Sequence, residues 1–182
     1  MMPQRSLRRV ALLAGLVLAA CSGSAIAAPT PKVLRLEVER DESLLRGWLK
    51  QLPAGSGVIM VRADGELLIR FPTALVFDPD STAISADAAQ GVVLQATERL
   101  LKRRKQLSAQ IAVYADDIGG ANLNQSQTDQ RAHAIADLLH DRGIDTQRLS
   151  SRGGGSDQPI ASNETPEGRI ENRRVEIRLR RG

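Results

Sequence analysis

Cysteine, histidine and aromatic residues are scarce in this chain of 182 residues. A single cysteine excludes an intramolecular disulfide, so the fold has to rest on its own hydrophobic core. Four aromatic residues are too few for a surface that stacks the bases of single-stranded nucleic acid. Two histidines and the lack of a Gly-x-Ser-x-Gly motif leave no evident nucleophile with its base, so the sequence predicts a protein that is not an enzyme.

Much of the net positive charge lies in the first residues. Arg5, Arg8 and Arg9 precede an apolar run from Val10 to Ala20, which is typical of a secretory signal. These 11 residues are too few for a membrane span, which needs about 20. Removing residues 1–20 leaves 22 basic residues against 21 acidic ones. The remaining basic clusters are interrupted by acids, so we expect solvated faces and no nucleic-acid partner.

The end of the apolar run, Leu18-Ala19-Ala20-Cys21, resembles the lipobox of bacterial lipoproteins. The resemblance implies cleavage before Cys21, lipidation of that residue and, since Ser22 follows, an outer-membrane anchor that faces the periplasm. The alternative is ordinary signal cleavage after Ala27. Residues 21–32 are rich in Ser, Gly, Ala and Pro, which predicts a flexible tether.

Residues 33–65 predict a small strand-helix-strand region. Partial alternation favours a strand over Val33 to Glu39, and apolar residues at helical spacing favour a helix from Leu44 to Leu52. Two further strands, Val58 to Arg62 and Glu66 to Phe71, flank a Gly-containing turn and predict a hairpin.

Residues 66–182 predict a domain in which strands and helices alternate. The pattern predicts helices from Ser85 to Gln106 and up to Gly143, strands from Gln110 to Ala115 and from Arg173 to Arg180, and a long loop over 153–168. In the last strand Glu176, Arg178 and Arg180 are expected to face solvent. The fold class is therefore α/β (α+β): a two-layer sandwich with the helices on one face of a small mixed sheet.

Two further groups of residues could each bind a ligand, but each has a simpler structural explanation. His133, Asp137 and His140 could share one helix face as metal ligands, but a polar helix face is preferred, so no metal and no cofactor is predicted. Gly153-Gly154-Gly155 lacks the Lys-Ser of a phosphate-binding loop and is interpreted as a flexible turn.

One constellation suits a small charged ligand. Asp116 follows a predicted strand, and Asn124, Thr128 and Arg131 recur on one face of the next helix. A carboxylate beside a guanidinium can bind the ammonium and the carboxylate of an amino acid. The alternative is an internal salt bridge between Asp116 and Arg131 that orients the loop.

These residues carry a resemblance to the OmpA-like C-terminal domain. The family pattern T-D-x-x-G-x4-N-x2-L-S-x2-R-A has its counterpart here with every spacing kept, and Phe77-Asp78 is similar to the entry motif of the family. The matching positions are Ala115-Asp116, Gly119, Asn124, Gln127-Thr128 and Arg131-Ala132, followed by Gly153, Gly155, Pro159-Ile160-Ala161, Asn163, Gly168-Arg169 and 172–177.

The resemblance implies a β-α-β-α-β-β fold that binds peptidoglycan noncovalently through the diaminopimelate of its stem peptides. Asp116 and Arg131 would hold the amino-acid end of diaminopimelate. Asn124, Thr128, Asp78 and Arg173 would line the pocket. The implied function is to anchor the outer membrane, or an envelope complex, to the cell wall.

The chain departs from the family pattern just before Asp116. Val113-Tyr114-Ala115 stands where the family usually has Gly-His-Thr, and Ala115 lacks a hydroxyl that could leave a pocket group unpaired. This departure, together with the extra strand and helix of residues 33–52 on which Trp48 could be exposed, motivates an alternative function. The alternative is a docking subunit of a trans-envelope secretion or motility complex in which peptidoglycan binding is weak or lost.

Overall fold

The computed structural model describes residues 31–181 apart from 55, 57, 62–64 and 87. The predicted signal sequence, Cys21 and most of the tether therefore lie outside the described residues. Helices and strands follow in the order α1 (Pro31–Leu49), β1 (Val58–Val61), β2 (Leu67–Pro72), α2 (Ala88–Arg103), β3 (Leu107–Tyr114), α3 (Ala121–Asp141), β4 (Leu149–Gly153), α4 (Pro166–Asn172) and β5 (Arg174–Arg181). Within this part of the chain no helix is long and apolar enough to cross a membrane.

The strands form one mixed sheet in the order β1-β2-β5-β3-β4. β3 and β4 are parallel, and the other neighbouring strands are antiparallel. From β2 onwards the elements follow the predicted β-α-β-α-β-β order, with the short α4 inserted before the last strand. The predicted fold class, mixed sheet and hairpin are confirmed.

One face of the sheet packs with the helices into a single hydrophobic core. Alternate residues of the three central strands point into it, as the two-residue period of a strand requires. The helices add apolar side chains at helical spacing, such as Leu45 of α1, Leu100 of α2 and Ile135 of α3. The core members on the strands are Leu67, Ile69, Phe71, Ala109, Ile111, Val113, Val175, Ile177 and Leu179.

The strand expected from Val33 to Glu39 is wrong, because these residues belong to α1. Val38, Leu45 and Leu49 lie on one helical face and pack against the core, so burial over the whole helix overrides the weak alternation at its start. Asp41 lies near this face. Arg104 Nε donates to both of its carboxylate oxygens, Oδ1 at 2.9 Å and Oδ2 at 3.1 Å. Trp48 is partly buried against the core rather than exposed.

The loop expected over 153–168 ends in a helix that the sequence analysis missed. Thr165 caps α4 by accepting a hydrogen bond from the Gly168 amide at 3.1 Å, and Pro166 occupies the first helical turn. The pattern also did not predict the strand β4, because its inward positions are Leu149, Ser151 and Gly153 and show no apolar alternation.

The glycine triplet is not an open turn, since Gly153, Gly154 and Gly155 are all buried. A Cβ atom at Gly153 would lie 2.5 Å from the Asp129 backbone nitrogen, so only glycine lets β4 approach α3 this closely. Asp129 uses this approach: its Oδ1 accepts from the Gly153 amide at 2.6 Å. A hydrogen bond from Gln125 and, second, this bond from the Gly153 amide lower the pKa of Asp129.

The second face of the sheet is exposed at Arg180, as alternation predicted, but buried at Glu176. Glu176 is only 1% exposed and lies among Arg70 of β2 and Arg174 and Arg178 of its own strand. Its Oε1 accepts from Arg70 Nη2 at 2.9 Å and from Arg174 Nε at 3.0 Å, and Oε2 accepts from Arg178. The expected outward position of Glu176 is therefore wrong, because a carboxylate can be buried when cations compensate it.

Candidate binding site

The candidate ligand residues meet at one end of the sheet. The register pairs Tyr114, the last residue of β3, with Arg174, the first residue of β5. Arg174 also pairs with Pro72 at the end of β2. The same end of the sheet therefore holds the segments that follow β2 and β3 and the segment that precedes β5.

Asp116 lies in the loop after β3 and is 6% exposed. Its Oδ1 accepts a hydrogen bond from the Ile118 amide at 3.1 Å, and its Oδ2 forms an ion pair with Arg173 Nη1. A carboxylate offers about four acceptor positions, so these two contacts leave capacity for a further donor. The side chain of Arg173 is 42% exposed, which keeps this side of the ion pair open to solvent.

Arg131 lies on the inner face of α3 and is 8% exposed. Its Nε donates to the Ser81 carbonyl at 2.8 Å, and its guanidinium lies 5.2 Å from the centre of the Phe77 ring. Burial lowers the pKa of Arg131, and the nearby carboxylate of Asp80 opposes that shift. Since helical side chains lean towards the N-terminus, Arg131 is directed towards the end of α3 that adjoins Asp116.

Asn124 and Thr128 brace the two loops at this edge. Asn124 Nδ2 donates to the Asp116 carbonyl at 3.0 Å. Thr128 Oγ1 donates to the Asn124 carbonyl at 2.7 Å and accepts from the Gly155 amide at 3.0 Å. Thr128 is fully buried, so the structure places it behind the pocket surface rather than on it.

The direct salt bridge between Asp116 and Arg131, the alternative raised by the sequence, is wrong. Over the described residues the ion-pair partner of Asp116 is Arg173, whereas Arg131 hydrogen-bonds the Ser81 carbonyl. Asp78 is exposed, and its carbonyl accepts from the Ser81 amide at 3.2 Å. The contribution of Ser81 had no sequence signal, because a backbone carbonyl carries no side-chain identity.

The departure at Val113-Tyr114-Ala115 is accommodated by packing. Tyr114 is buried, and the guanidinium of Arg174 lies 3.8 Å from the centre of its ring. A Cβ atom at Gly154 would lie 2.3 Å from that ring, so Gly154 provides the room for Tyr114. Ala115 contributes its amide to the Gly155 carbonyl at 2.7 Å. Among described residues every buried side-chain nitrogen and oxygen has a partner, so the unpaired group expected from Ala115 is not found.

A shallow groove of about 790 Å³ runs along α3. His133 and Asp137 line it, whereas His140 Nδ1 lies 3.2 Å from the Ile144 carbonyl oxygen. In the described ranges no group of three His, Cys, Asp or Glu residues is placed to hold a metal ion. Thr82 and Ala83, which line this groove, directly follow Ser81, whose carbonyl accepts from Arg131.

Comparison with known families matches residues 76–173, more than half of the chain, to the OmpA family. The chain belongs to the OmpA family. The matched range starts just before Phe77 and ends at Arg173, so it includes each candidate residue of the site. The resemblance noted in the sequence is thereby confirmed.

Relatives with this domain include envelope proteins. The chain is 34% identical over 131 residues to "Probable lipoprotein YiaD" of Escherichia coli K12, covering 72% of this chain and 59% of that protein. It is 48% identical over 64 residues to the peptidoglycan-binding protein ArfA of Mycobacterium tuberculosis, covering 35% of this chain and 20% of that protein. The chain thus spans less than two thirds of either relative.

A solved structure shares the architecture. The cell wall anchor of the type VI secretion system from Pseudomonas aeruginosa superposes with a TM-score of 0.66 at 25% sequence identity. The match covers 76% of this chain and 97% of that chain. None of these three relatives is named as an enzyme.

Proposed function

We propose that this protein binds peptidoglycan noncovalently by holding the free amino-acid end of diaminopimelate between Asp116 and Arg131. The ligand carboxylate binds the Arg131 guanidinium, and the ligand ammonium donates to Asp116. Arg173 and Asp78 lie at the open side of the site, and Asn124 and Thr128 hold the loops in place. No bond is made or broken, so the protein acts as an anchor.

The observation that carries this proposal is the state of Arg131. Only its Nε has a hydrogen-bond partner in the described part of the chain, the Ser81 carbonyl. Because no buried side-chain nitrogen described there lacks a partner, the two terminal nitrogens reach solvent. A guanidinium fixed through Nε and the Phe77 ring presents a fork that matches a carboxylate.

The chemistry of Asp116 supports the same ligand. Its carboxylate is held by the Ile118 amide and Arg173, so it keeps its orientation without a ligand. Hydrogen bonds to charged groups contribute about 1.5–3 kcal/mol each, so a single site binds weakly. A repeating polymer and a membrane tether raise the effective concentration and compensate for that weakness.

We further propose that the protein is lipidated at Cys21 and anchored in the outer membrane, facing the periplasm. The support is the Leu18-Ala19-Ala20-Cys21 pattern together with the lipoprotein name of the Escherichia coli relative. More than one acyl chain on a protein is what turns marginal membrane binding into stable anchoring.

Co-sedimentation of the full-length protein with purified sacculi tests wall binding. We expect sedimentation that free meso-diaminopimelate competes away. Lysine with its α-amino and α-carboxyl groups blocked is the matched control competitor, because it keeps the side-chain ammonium and lacks the carboxylate that Arg131 would bind. Equal competition by the blocked lysine, or no sedimentation of the folded protein, would contradict the proposal.

A second function is a docking subunit of a trans-envelope complex. The likeness to the cell wall anchor of a secretion system favours it, as does α1, which lies outside the family match and packs on the domain. Recovery of a stoichiometric protein partner with a protein that does not sediment with sacculi would support this function over wall binding.

A further inference from the structure

Two of the most exposed apolar side chains flank the loop that holds Asp116. Ile118 is 62% exposed and Leu123 is 63% exposed. Single exposed apolar residues are normal on protein surfaces and carry no meaning by themselves. The position of this pair beside a candidate ligand carboxylate distinguishes it.

The backbone fixes the pair against the site. The Ile118 amide donates to Asp116 Oδ1 at 3.1 Å, so this residue adjoins the carboxylate that would receive the ligand ammonium. Gly119 follows with a φ of +98°, and a Cβ atom built there would lie 3.6 Å from Leu123 Cδ2. Leu123 therefore lies against the turn that carries Ile118, and both residues flank the loop that holds Asp116.

We propose that Ile118 and Leu123 form an apolar lip that receives the methyl group of the D-alanine following diaminopimelate in the stem peptide. This inference rests on the proposed function. We infer that, with the free end of diaminopimelate between Asp116 and Arg131, the peptide-linked end extends out past this loop. Its two neighbours in the peptide are an acidic glutamyl residue and an alanine, and an apolar surface accommodates the alanine methyl.

The test compares two tetrapeptides that differ by one methyl group. The full-length protein is titrated with L-Ala-γ-D-Glu-meso-diaminopimelate-D-Ala, with the same peptide ending in glycine, and with free meso-diaminopimelate. We expect the D-alanine peptide to bind about fourfold more tightly than the glycine peptide, as burial of one methyl group predicts. Leu123→Ser should reduce this preference without changing the affinity for free meso-diaminopimelate.

Ile160→Ser is the matched control, because Ile160 is also exposed but lies in the loop that Asn172 holds. It should keep the fourfold preference. Equal affinity of the wild-type protein for both peptides, with free meso-diaminopimelate still bound, would overturn the lip alone. Failure of the wild-type protein to bind any of the three ligands would overturn the proposed function and the lip with it.

Discussion

Two buried carboxylates in this protein meet arginines in different ways. Glu176, in the middle of β5, accepts from Arg70, Arg174 and Arg178, so both of its oxygens are occupied by the protein itself. Asp116, in the loop after β3, has one arginine partner, and that side chain is 42% exposed. The contacts of Glu176 are thus all made within the sheet, whereas Asp116 lies at the end of the sheet beside a partly exposed partner.

The difference shows that a carboxylate and an arginine can contribute either to the stability of the fold or to the binding of a ligand. At Glu176, burial alone would raise the pKa, but the hydrogen bond and charge of Arg174, followed by Arg178 and Arg70, hold the pKa below its ordinary value. At the sheet edge the guanidinium of Arg131 is used only through Nε within the described chain. We infer that Glu176 serves stability and that Asp116 and Arg131 serve binding.

The largest effect on stability is expected from Glu176→Gln. The substitution leaves Arg174, which is itself buried, without its compensating charge, and removing one partner of a buried ion pair costs about 3 kcal/mol. Chemical denaturation measures the loss. Sacculus binding should be unchanged below the midpoint of unfolding. A variant as stable as the wild-type protein would contradict the stabilising role assigned to Glu176.

The reverse pattern is expected from Asp116→Asn. The amide cannot act as an anionic acceptor for an ammonium, so binding of diaminopimelate should fall at least about tenfold. The lost ion pair with Arg173 is partly exposed, so the free energy of unfolding should change by only about 1 kcal/mol or less. Loss of folding together with binding would show that Asp116 is structural, as Glu176 is.

The smallest effect is expected in the dependence of stability on acidic pH. Because the folded-state pKa of Glu176 is lowered, its carboxylate contributes stability above its unfolded pKa, near 4.3. That contribution is lost as the pH falls through the lowered folded-state pKa. As the pH is lowered from 6, the midpoint temperature of thermal unfolding should therefore fall less steeply for Glu176→Gln than for the wild-type protein. Parallel curves would contradict the assigned pKa shift.

The sequence predicts the fold well where periodicity is strong. The stripe from Ala132 to Leu139 and the alternation of β5 reflect faces that pack into the core, so both elements are confirmed. The pattern fails in α1, where a few alternating residues at the start are overridden by the burial of Leu45 and its neighbours.

The sequence predicts that three of the candidate residues share a helix face, but not the contacts that these residues make. The spacing places Asn124, Thr128 and Arg131 on one face of α3, and all three are buried there. The partners Ser81 and Arg173 come from 50 and 57 positions away along the chain from the residues they contact, so no local pattern reveals them. The roles of these residues in ligand binding stay predictions.

Titration of free meso-diaminopimelate into the full-length wild-type protein and Arg131→Lys tests the central claim most directly. Lysine keeps the positive charge but removes the planar fork, so the account predicts binding by the wild-type protein and an affinity at least about tenfold lower for the variant. Glu176→Gln serves as the control and should bind as the wild-type protein does. Equal affinities of the wild-type protein and Arg131→Lys would contradict the account.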